Sequence, residues 1–367
     1  MTGFFAPAQA IKRLTPFSQA LLVLDSVRPV AERKIPVAGS VGYVLAADVE
    51  APAALPKRAQ SLHDGFALSA ETTLDASTFA PVLLTEPLSV LNGTTMPGGT
   101  DAVVALNAVQ FRGGFAEIVT PLAQGDGVLA AGGECVAGMV LRSAGYHVRA
   151  SDAAVFLLAG LERVRVRAPR VLVGYARESE NLRIAADILA KELEAQNIKA
   201  NIMLLADALR DGSMDAVLGV GGTGGGANDV SLLELAKTGH VAFHGVGLTP
   251  GETTGFGFIQ ERPVLLLPGS LDALLAVWCV LGKRFLARLS GSNEIAMATT
   301  AVLTRKVPST VGMAEFVPVR VNAGKAEPLA AGHLPLSALS DANAWMLIPP
   351  GCEGYQADTL VEVQPWR

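Results

Sequence analysis

A strand, helix, strand rhythm that begins after Pro169 constrains the fold more than any other feature of the chain. Apolar segments at residues 171–173, 200–205 and 216–220 are typical of buried strands, and the first two flank a longer segment, 181–196. The apolar residues of that segment recur at helical spacing, as Leu182, Ala186, Leu189 and Leu193. A helix between buried strands is typical of a crossover connection, so the middle of the chain is predicted to be a parallel α/β domain.

The third of these strands runs directly into a glycine-rich loop. Residues 219–224, Gly-Val-Gly-Gly-Thr-Gly, match the G-x-G-x-x-G pattern, whose backbone N–H groups can approach a phosphate closely. In a dinucleotide-binding fold the helix begins inside this pattern, whereas here residues 225–228 separate the pattern from any helix. The loop therefore favours an anion-binding site at the carboxyl edge of a sheet. The alternatives are a structural turn and, more weakly, an NAD-binding oxidoreductase.

The remaining segments predict further domains around this one. Residues 37–140 carry short apolar runs broken by Pro and Gly pairs, which is typical of a β-rich domain. Helical spacing at 16–27 and 151–161 predicts two short helices, and alternation after Ala301 predicts a small terminal β domain. A chain of 367 residues is long enough for more than one domain.

Charge and cysteine content argue against several classes of partner. Lys and Arg total 29 against 34 Asp and Glu, so no basic field is expected to hold nucleic acid or an anionic membrane. The 3 cysteines form no C-x-x-C pair, and the longest apolar run, 273–281, is too short to span a bilayer. We expect a cytoplasmic protein with reduced thiols and without a nucleic-acid or membrane partner.

Two polar groups outside the glycine loop are candidates for chemistry. Asp64 lies in the segment Ser-Leu-His-Asp-Gly-Phe-Ala at residues 61–67, where its carboxylate could bind a metal or a ligand hydroxyl. An aspartate before a glycine also fits a turn in which the side chain bonds its own backbone ahead of Gly65. His240 and His244 lie in a strand-like segment without the glutamate of a metalloprotease helix, which favours structural roles for both.

Six short motifs follow one another along the chain. In the first three, residues 61–67 are similar to the pattern S-x-M-D-G-Y-A, residues 91–104 to T-G-x-x-x-P-x-G-A-D-A-V-V, and residues 132–138 to G-E-D-x-x-x-G. The last three are 221–229 against G-G-T-S-V-G-E-Y-D, 250–257 against P-G-K-P-x-x-F-G, and 267–271 against L-P-G-N-P. In order and spacing they resemble the molybdopterin molybdotransferase family, which includes MoeA and the gephyrin E domain.

This resemblance implies a homodimer that inserts molybdate into adenylylated molybdopterin with Mg²⁺ and releases AMP. It implies a mixed α/β and β fold of four parts. These are a helical and extended spine (14–56 and 137–168), a β-rich domain (57–136), a three-layer α/β molybdopterin-binding domain (169–291) and a C-terminal β-barrel-like domain (292–367). The site would lie between the α/β domain of one subunit and the Asp64 loop of the other.

The matching motif positions give the expected site residues. Asp64 and Asp229 would be catalytic, and together with Glu178 they would hold Mg²⁺, because hard cations bind carboxylate oxygens. The pterin or its phosphate would contact Gly221, Gly222, Thr223, Gly226, Asn92, Pro250, Gly251, Pro268, Gly269, Ser270, Arg58 and Arg177.

The chain departs from the family pattern where phosphate contacts are expected. Thr249 and Glu252 replace two lysines of the family. A carboxylate in place of a cation repels phosphate, so binding of an adenylylated ligand is expected to weaken. Lys57, Arg58 and Arg177 are the cations that lie nearest the motifs in sequence, and they could supply the missing charge.

Two functions from different classes are therefore carried forward. One is a molybdotransferase with altered substrate contacts. The other is a non-catalytic protein that binds molybdopterin or the finished cofactor for handling or delivery to a molybdoenzyme. The first requires replacement of the lost lysines, whereas a carrier of non-adenylylated pterin does not.

Overall fold

The computed structural model describes residues 9–112, 115–294 and 298–366. The N-terminal half consists mostly of short strands. Its elements are α1 (Phe17–Asp25), β1 (Glu32–Pro36), β2 (Val44–Leu45), β3 (Val49–Glu50), β4 (Gln60–Ser61), β5 (Gly65–Leu68), β6 (Val82–Leu84), β7 (Leu88–Val90), β8 (Ala102–Ala105), β9 (Val109–Arg112), β10 (Phe115–Ile118), β11 (Val128–Leu129), β12 (Val140–Arg142), α2 (Ala150–Leu158) and β13 (Arg163–Arg167).

These strands pair across long stretches of sequence. β1 pairs antiparallel with β13 and β3 pairs with β12, so the two ends of this half lie side by side. Between them, β7, β5 and β8 form one small sheet, and β6, β10 and β9 form another. The glycine and proline breaks that predicted a β-rich region thus separate strands too short to be stable alone, which are stabilised by mutual pairing.

Helix α2 is fixed at its N-terminus by a buried carboxylate. Asp152 Oδ2 accepts the backbone N–H of Arg149 at 2.9 Å, and Asp152 Oδ1 accepts from the Arg149 guanidinium at 2.8 Å. The guanidinium of Arg149 lowers the pKa of Asp152, although burial of the carboxyl group opposes the shift. The helix ends before the predicted residue 161, because Gly160 adopts the left-handed region, with φ +82°.

The middle of the chain alternates strands and helices as predicted. Its elements are β14 (Arg170–Tyr175), α3 (Glu180–Glu194), β15 (Lys199–Leu204), α4 (Leu205–Arg210), β16 (Ala216–Val220), α5 (Ser231–Thr238), β17 (His240–His244), β18 (Leu248–Thr249), β19 (Gly255–Ile259), β20 (Arg262–Leu267), α6 (Leu271–Val277) and α7 (Lys283–Ser290).

Six of these strands form one sheet in the order β15, β14, β16, β20, β19, β17. The first four are parallel, whereas β19 and β17 are antiparallel to their neighbours. Helix α3 buries Leu182, Leu189 and Leu193 in a core that also contains residues of β14 and β16. The carboxyl ends of β14, β16 and β20 therefore meet at one edge of the sheet, where their following loops lie together.

The helical segment over residues 271–290 contains an irregular turn. A π-helical segment, Trp278–Gly282, separates α6 from α7. A Cβ at Gly282 would overlap the ring of Trp278, which is only 1% exposed, so glycine allows the indole to pack inside the turn. Burial also raises the pKa of the adjacent Cys279 thiol to about 11, which keeps it protonated at neutral pH.

The C-terminal part is a closed β-barrel. Strand β23 pairs with both β24 and β25, and the order β23, β24, β21, β27, β25 returns to its start. The elements are β21 (Thr299–Leu303), β22 (Val307–Pro308), β23 (Ala314–Asn322), β24 (Lys325–Pro328), α8 (Leu336–Asp341), β25 (Ala344–Ile348), β26 (Gly354–Tyr355) and β27 (Leu360–Pro365). The predicted fold class, an α/β domain with β-rich and barrel-like parts, is confirmed. Within the described ranges, every helix is too short or too polar to span a membrane.

The ion pair between the buried Asp152 and the exposed Arg149 gives a prediction for pH-dependent stability. Asp152→Asn should lower the free energy of opening of α2 by about 1 kcal/mol, because the charge-assisted hydrogen bond is lost and solvent at Arg149 screens it. The contribution is present above the ordinary aspartate pKa and is lost as pH falls through the lowered pKa of the folded state. Amide exchange across α2 at several pH values measures it. The matched variant at the exposed Asp75, Asp75→Asn, should leave the exchange unchanged.

Candidate functional site

The glycine loop between β16 and α5 can form only with glycine at its first two positions. Gly221 and Gly222 have φ of +83° and +67°, in the left-handed region that favours glycine. A Cβ at Gly221 would lie 2.7 Å from Leu182 Cδ2, and one at Gly222 would overlap Ser231 Oγ. The repeated glycines thus allow a tight turn and close packing at the carboxyl edge of the sheet.

The carbonyl oxygens of this loop accept hydrogen bonds from side chains of other elements. Ser231 Oγ donates to the carbonyl of Gly221 at 2.8 Å, and His244 Nε2 lies 2.8 Å from the carbonyl of Thr223. The His244 ring must carry its proton on Nε2 to donate there. His244, which the sequence predicted to be structural, therefore orients the loop from β17, the edge strand of the sheet.

Gln9 holds two further carbonyls, and sequence analysis did not identify this residue. Its Nε2 donates to the carbonyls of Gly222 and Gly224 at 2.8 and 2.9 Å, and its Oε1 accepts the N–H of Leu232 at 3.1 Å. The Gln9 side chain is buried. A single glutamine in the N-terminal segment carries no sequence signal for contact with a loop more than two hundred residues away.

With its carbonyls held, the loop presents backbone N–H groups. Within the described ranges, the N–H groups of residues 222–225 donate to no protein acceptor. Gly222, Thr223 and Gly224 line a cavity of about 350 Å³. A run of backbone donors without acceptors at a sheet edge is suited to an anion.

Several predicted residues lie together around this cavity. Its lining consists of Arg177, Ser179, Asn181, Leu182, Gly221, Gly222, Thr223, Gly224, Asp229, Thr253, Pro268, Gly269 and Ser270. A Cβ at Gly269 would lie 3.1 Å from Gly221 Cα, so the loops after β16 and β20 touch backbone to backbone. Thr253, which the sequence analysis missed, bonds Thr223 through their hydroxyls at 2.8 Å.

Asp229 and Gly226 close the far end of the loop. The sequence predicted a helix from Asp229, but α5 begins at Ser231. Asp229 Oδ2 instead accepts the N–H of Gly226 at 2.8 Å. Asp229 lines the cavity, whereas Gly226, which the sequence predicted to contact the ligand, does not.

Other predicted site residues lie outside the cavity of this chain. Asp64 and Asn92 meet each other, with the N–H of Asn92 donating to Asp64 Oδ1 at 2.8 Å, and both are exposed. Arg58 is also exposed, and neither it nor the pair lines the cavity. The Asp64 carboxylate thus bonds a backbone N–H that lies 28 residues further along the chain, and not its own backbone as the turn alternative predicted. The Asp64 side chain is otherwise open to solvent.

Glu178, on the loop after β14, turns toward its own strand. It accepts a hydrogen bond from the Tyr175 hydroxyl at 3.2 Å and does not line the cavity. Partial burial and this carboxylate raise the pKa of Tyr175. Across the described ranges, His, Cys, Asp and Glu form no group of three or more that could hold a metal ion.

The two residues that replace family lysines bind each other. Thr249 Oγ1 donates to Glu252 Oε1 at 2.6 Å, and the N–H of Gly251 donates to Glu252 Oε2 at 3.1 Å. Neither Pro250 nor Gly251 lines the cavity, although Thr253 does. The carboxylate of Glu252 is therefore held in its own turn, and Arg177 is the cation that lines the cavity.

Comparison with known proteins places this geometry in a family. Models of the MoeA N-terminal region (domain I and II), a probable molybdopterin binding domain and the MoeA C-terminal region (domain IV) match residues 15–160, 187–288 and 300–366. The chain belongs to the MoeA-like family. The resemblance inferred from the six motifs is thereby confirmed.

Relatives of this MoeA-like chain match it over almost its full length. A putative molybdopterin biosynthesis protein of Methanocaldococcus jannaschii is 25% identical, over 96% of this chain and 98% of its own. A molybdopterin molybdenumtransferase of Staphylococcus epidermidis is 23% identical, over 96% of each chain. The crystal structure of a molybdopterin biosynthesis MoeA protein from Pyrococcus horikoshii has the same fold, with a TM-score of 0.79, 24% identity and coverage of 97% and 100%.

The position of Arg177 gives a prediction for anion binding. Arg177→Ala should weaken binding of inorganic pyrophosphate about tenfold or more and flatten its salt dependence, because a charge-assisted contact is lost. Calorimetric titration at several salt concentrations measures both effects. Arg183→Ala, which removes an exposed cation on α3 outside the cavity lining, is the matched control. Equal losses in the two variants would contradict a specific contact at Arg177.

Proposed function

We propose that this MoeA-like chain acts in molybdenum cofactor biosynthesis by binding molybdopterin through its phosphate in the glycine-loop cavity. The reaction we propose is insertion of molybdate into adenylylated molybdopterin, with release of AMP. Family membership supports the reaction, and the free N–H groups of residues 222–225 support the binding mode. That run of backbone donors is the single observation on which the ligand assignment depends.

The backbone N–H groups can bind a phosphate without rearrangement because the loop already holds them in position. Carbonyls held by side chains cannot turn toward the cavity, so an entering phosphate meets N–H dipoles and not carbonyl oxygens. Arg177 adds a charge that can pair with phosphate oxygens. The cavity volume of about 350 Å³ is at the lower end of the range for small-molecule sites, which suits one pterin.

We further propose that two copies of the chain complete the site. Helix α2 exposes Val155, Leu157 and Leu158 by 46%, 52% and 80%, an apolar face that a second copy would cover. The exposed loop of Asp64 and Arg58 would then supply its charges to the cavity of the other subunit. This arrangement explains why the Asp64 loop and the glycine-loop cavity, which were predicted to form one site, do not meet within one chain.

The same arrangement bears on Mg²⁺. The carboxylates described in one chain supply no group of three, and Asp229 already accepts a loop N–H. Mg²⁺ usually binds through one or two carboxylates together with substrate phosphates. We therefore propose Mg²⁺ only as a partner of the bound phosphate, with Asp229 and an Asp64 from the second copy as the protein ligands.

A second candidate function is favoured by the turn of Thr249 and Glu252. A second phosphate, as in an adenylylated ligand, requires more positive charge, and this turn presents a carboxylate where the family has lysines. Arg177 alone suits a ligand with one phosphate. Under this candidate the protein binds molybdopterin or the finished cofactor and hands it to a molybdoenzyme.

Turnover distinguishes the two candidates. The purified protein is incubated with adenylylated molybdopterin, molybdate and Mg²⁺, and AMP release is followed by chromatography. The molybdotransferase proposal predicts AMP release, and Glu252→Lys should increase affinity for the adenylylated ligand by about tenfold, since repulsion is replaced by attraction. Molybdopterin binding without AMP release would support the carrier, and absence of binding would contradict both.

Subunit mixing tests completion of the site by a second copy. Asp64→Asn and Asp229→Asn should each lose Mg²⁺-dependent binding of the ligand. When the two variants are mixed and exchanged, about half of the mixed dimers' sites carry both substitutions and the rest carry neither. Mixing should therefore restore binding that neither variant has alone. Failure to restore it in a confirmed mixed dimer, or sedimentation as a monomer with intact binding, would contradict the proposal.

A further inference from the structure

We infer that Gln9 is a positioning residue of the cavity: the N-terminal segment holds the glycine loop so that its N–H groups face the ligand. This inference rests on the proposed function for its ligand, molybdopterin, but its structural part concerns the loop alone. Gln9 does not line the cavity, and it bonds carbonyls of the loop and not its N–H groups.

Every polar group of the Gln9 side chain is used. Both hydrogen bonds donated by Nε2 go to loop carbonyls, and Oε1 accepts the N–H of Leu232 in the first turn of α5. At 6% exposure, the amide has little access to water that could replace these bonds. The residue thus joins the loop to the helix that follows it, and fixes the direction of two peptide units.

The segment that carries Gln9 is itself anchored. Thr15 donates its N–H to the carbonyl of Gly245 at 3.0 Å and accepts the N–H of Gly247 at 2.9 Å. Ile11 and Leu14 pack at Gly245, where a Cβ would lie 2.6 and 3.1 Å from their side chains. Gln9 therefore extends from a fixed point beside the strand that carries His244.

The direction of the loop carbonyls decides whether the loop attracts or repels an anion. The peptides of Gly222 and Gly224 can rotate more freely than those of other residues, because glycine has access to a wider range of backbone angles. If either peptide turned over, a carbonyl oxygen would face the phosphate in place of an N–H, and attraction would become repulsion. Gln9 opposes this rotation at both peptides, and at Gly222 it acts together with the backbone N–H of Ser231, which donates to the same carbonyl at 3.0 Å. Ser231 Oγ and His244 hold the carbonyls of Gly221 and Thr223.

Gln9→Glu tests the inference, since it keeps the side-chain shape and the acceptor for Leu232 but removes both donors. We expect the Kd for molybdopterin to rise about tenfold or more in the full chain at neutral pH, measured at a temperature at which the variant is folded, since a carboxylate that faces two carbonyls also lowers Tm. As pH falls toward the glutamic acid pKa, near 4.3 and raised by the facing carbonyls, the protonated side chain can donate again. The ratio of the variant and wild-type Kd values should therefore shrink with falling pH.

Two further measurements complete the design. Gln9→Met removes the donors without adding charge and should weaken binding without this pH dependence, whereas Gln110→Glu, on an exposed strand, should behave as wild type. Amide exchange of Ser231, whose N–H donates to the carbonyl of Gly222 at 3.0 Å, should be faster without ligand in both Gln9 variants. Unchanged exchange and unchanged Kd would overturn the inference. Failure of wild type to bind molybdopterin would contradict the proposed function, while the exchange data would still decide the role of Gln9.

Discussion

The site depends on the contact between the two loops that leave the central strands of the parallel sheet. The N–H of Gly221 donates to the carbonyl of Leu267 at 2.9 Å, and Gly269 packs against Gly221 backbone to backbone. Since neither position can hold a Cβ without displacing a neighbour, the loops after β16 and β20 are held at a fixed separation. The cavity lies where they diverge, and its shape follows from this contact.

The direction of the peptide groups in the loop is determined from further away. Ser231, His244 and Gln9 come from α5, β17 and the N-terminal segment, and between them they bond four consecutive carbonyls. None of these side chains lines the cavity. The directions of these loop peptides are therefore determined by side chains from three separate parts of the chain, which lie outside the cavity lining.

The sequence predicted the fold because the fold depends on local patterns. The helical spacing of α3 and the continuous apolar run of β16 each specify one element, and glycines specify the loop between them. The role of Asp229 could not be predicted in this way. An aspartate at this position can begin a helix or close the loop, and it closes the loop here because the N–H of Gly226 lies within reach of its carboxylate. Gln9 and Thr253 carry no local signal, because only tertiary packing brings them to the loop.

The positive charge around the cavity is what distinguishes a ligand with one phosphate from the adenylylated ligand that the family motifs imply. Thr249 and the N–H of Gly251 satisfy both oxygens of Glu252, so the turn that carries lysines in the family is here closed upon itself. Backbone dipoles can stabilise one phosphate without a cation. Their electrostatic field weakens quickly with distance, so they do not replace the positive charge that a second phosphate requires. A site that has the glycines of the family but not its lysines should therefore have a lower affinity for the adenylyl end of the ligand, while its affinity for the pterin phosphate is retained.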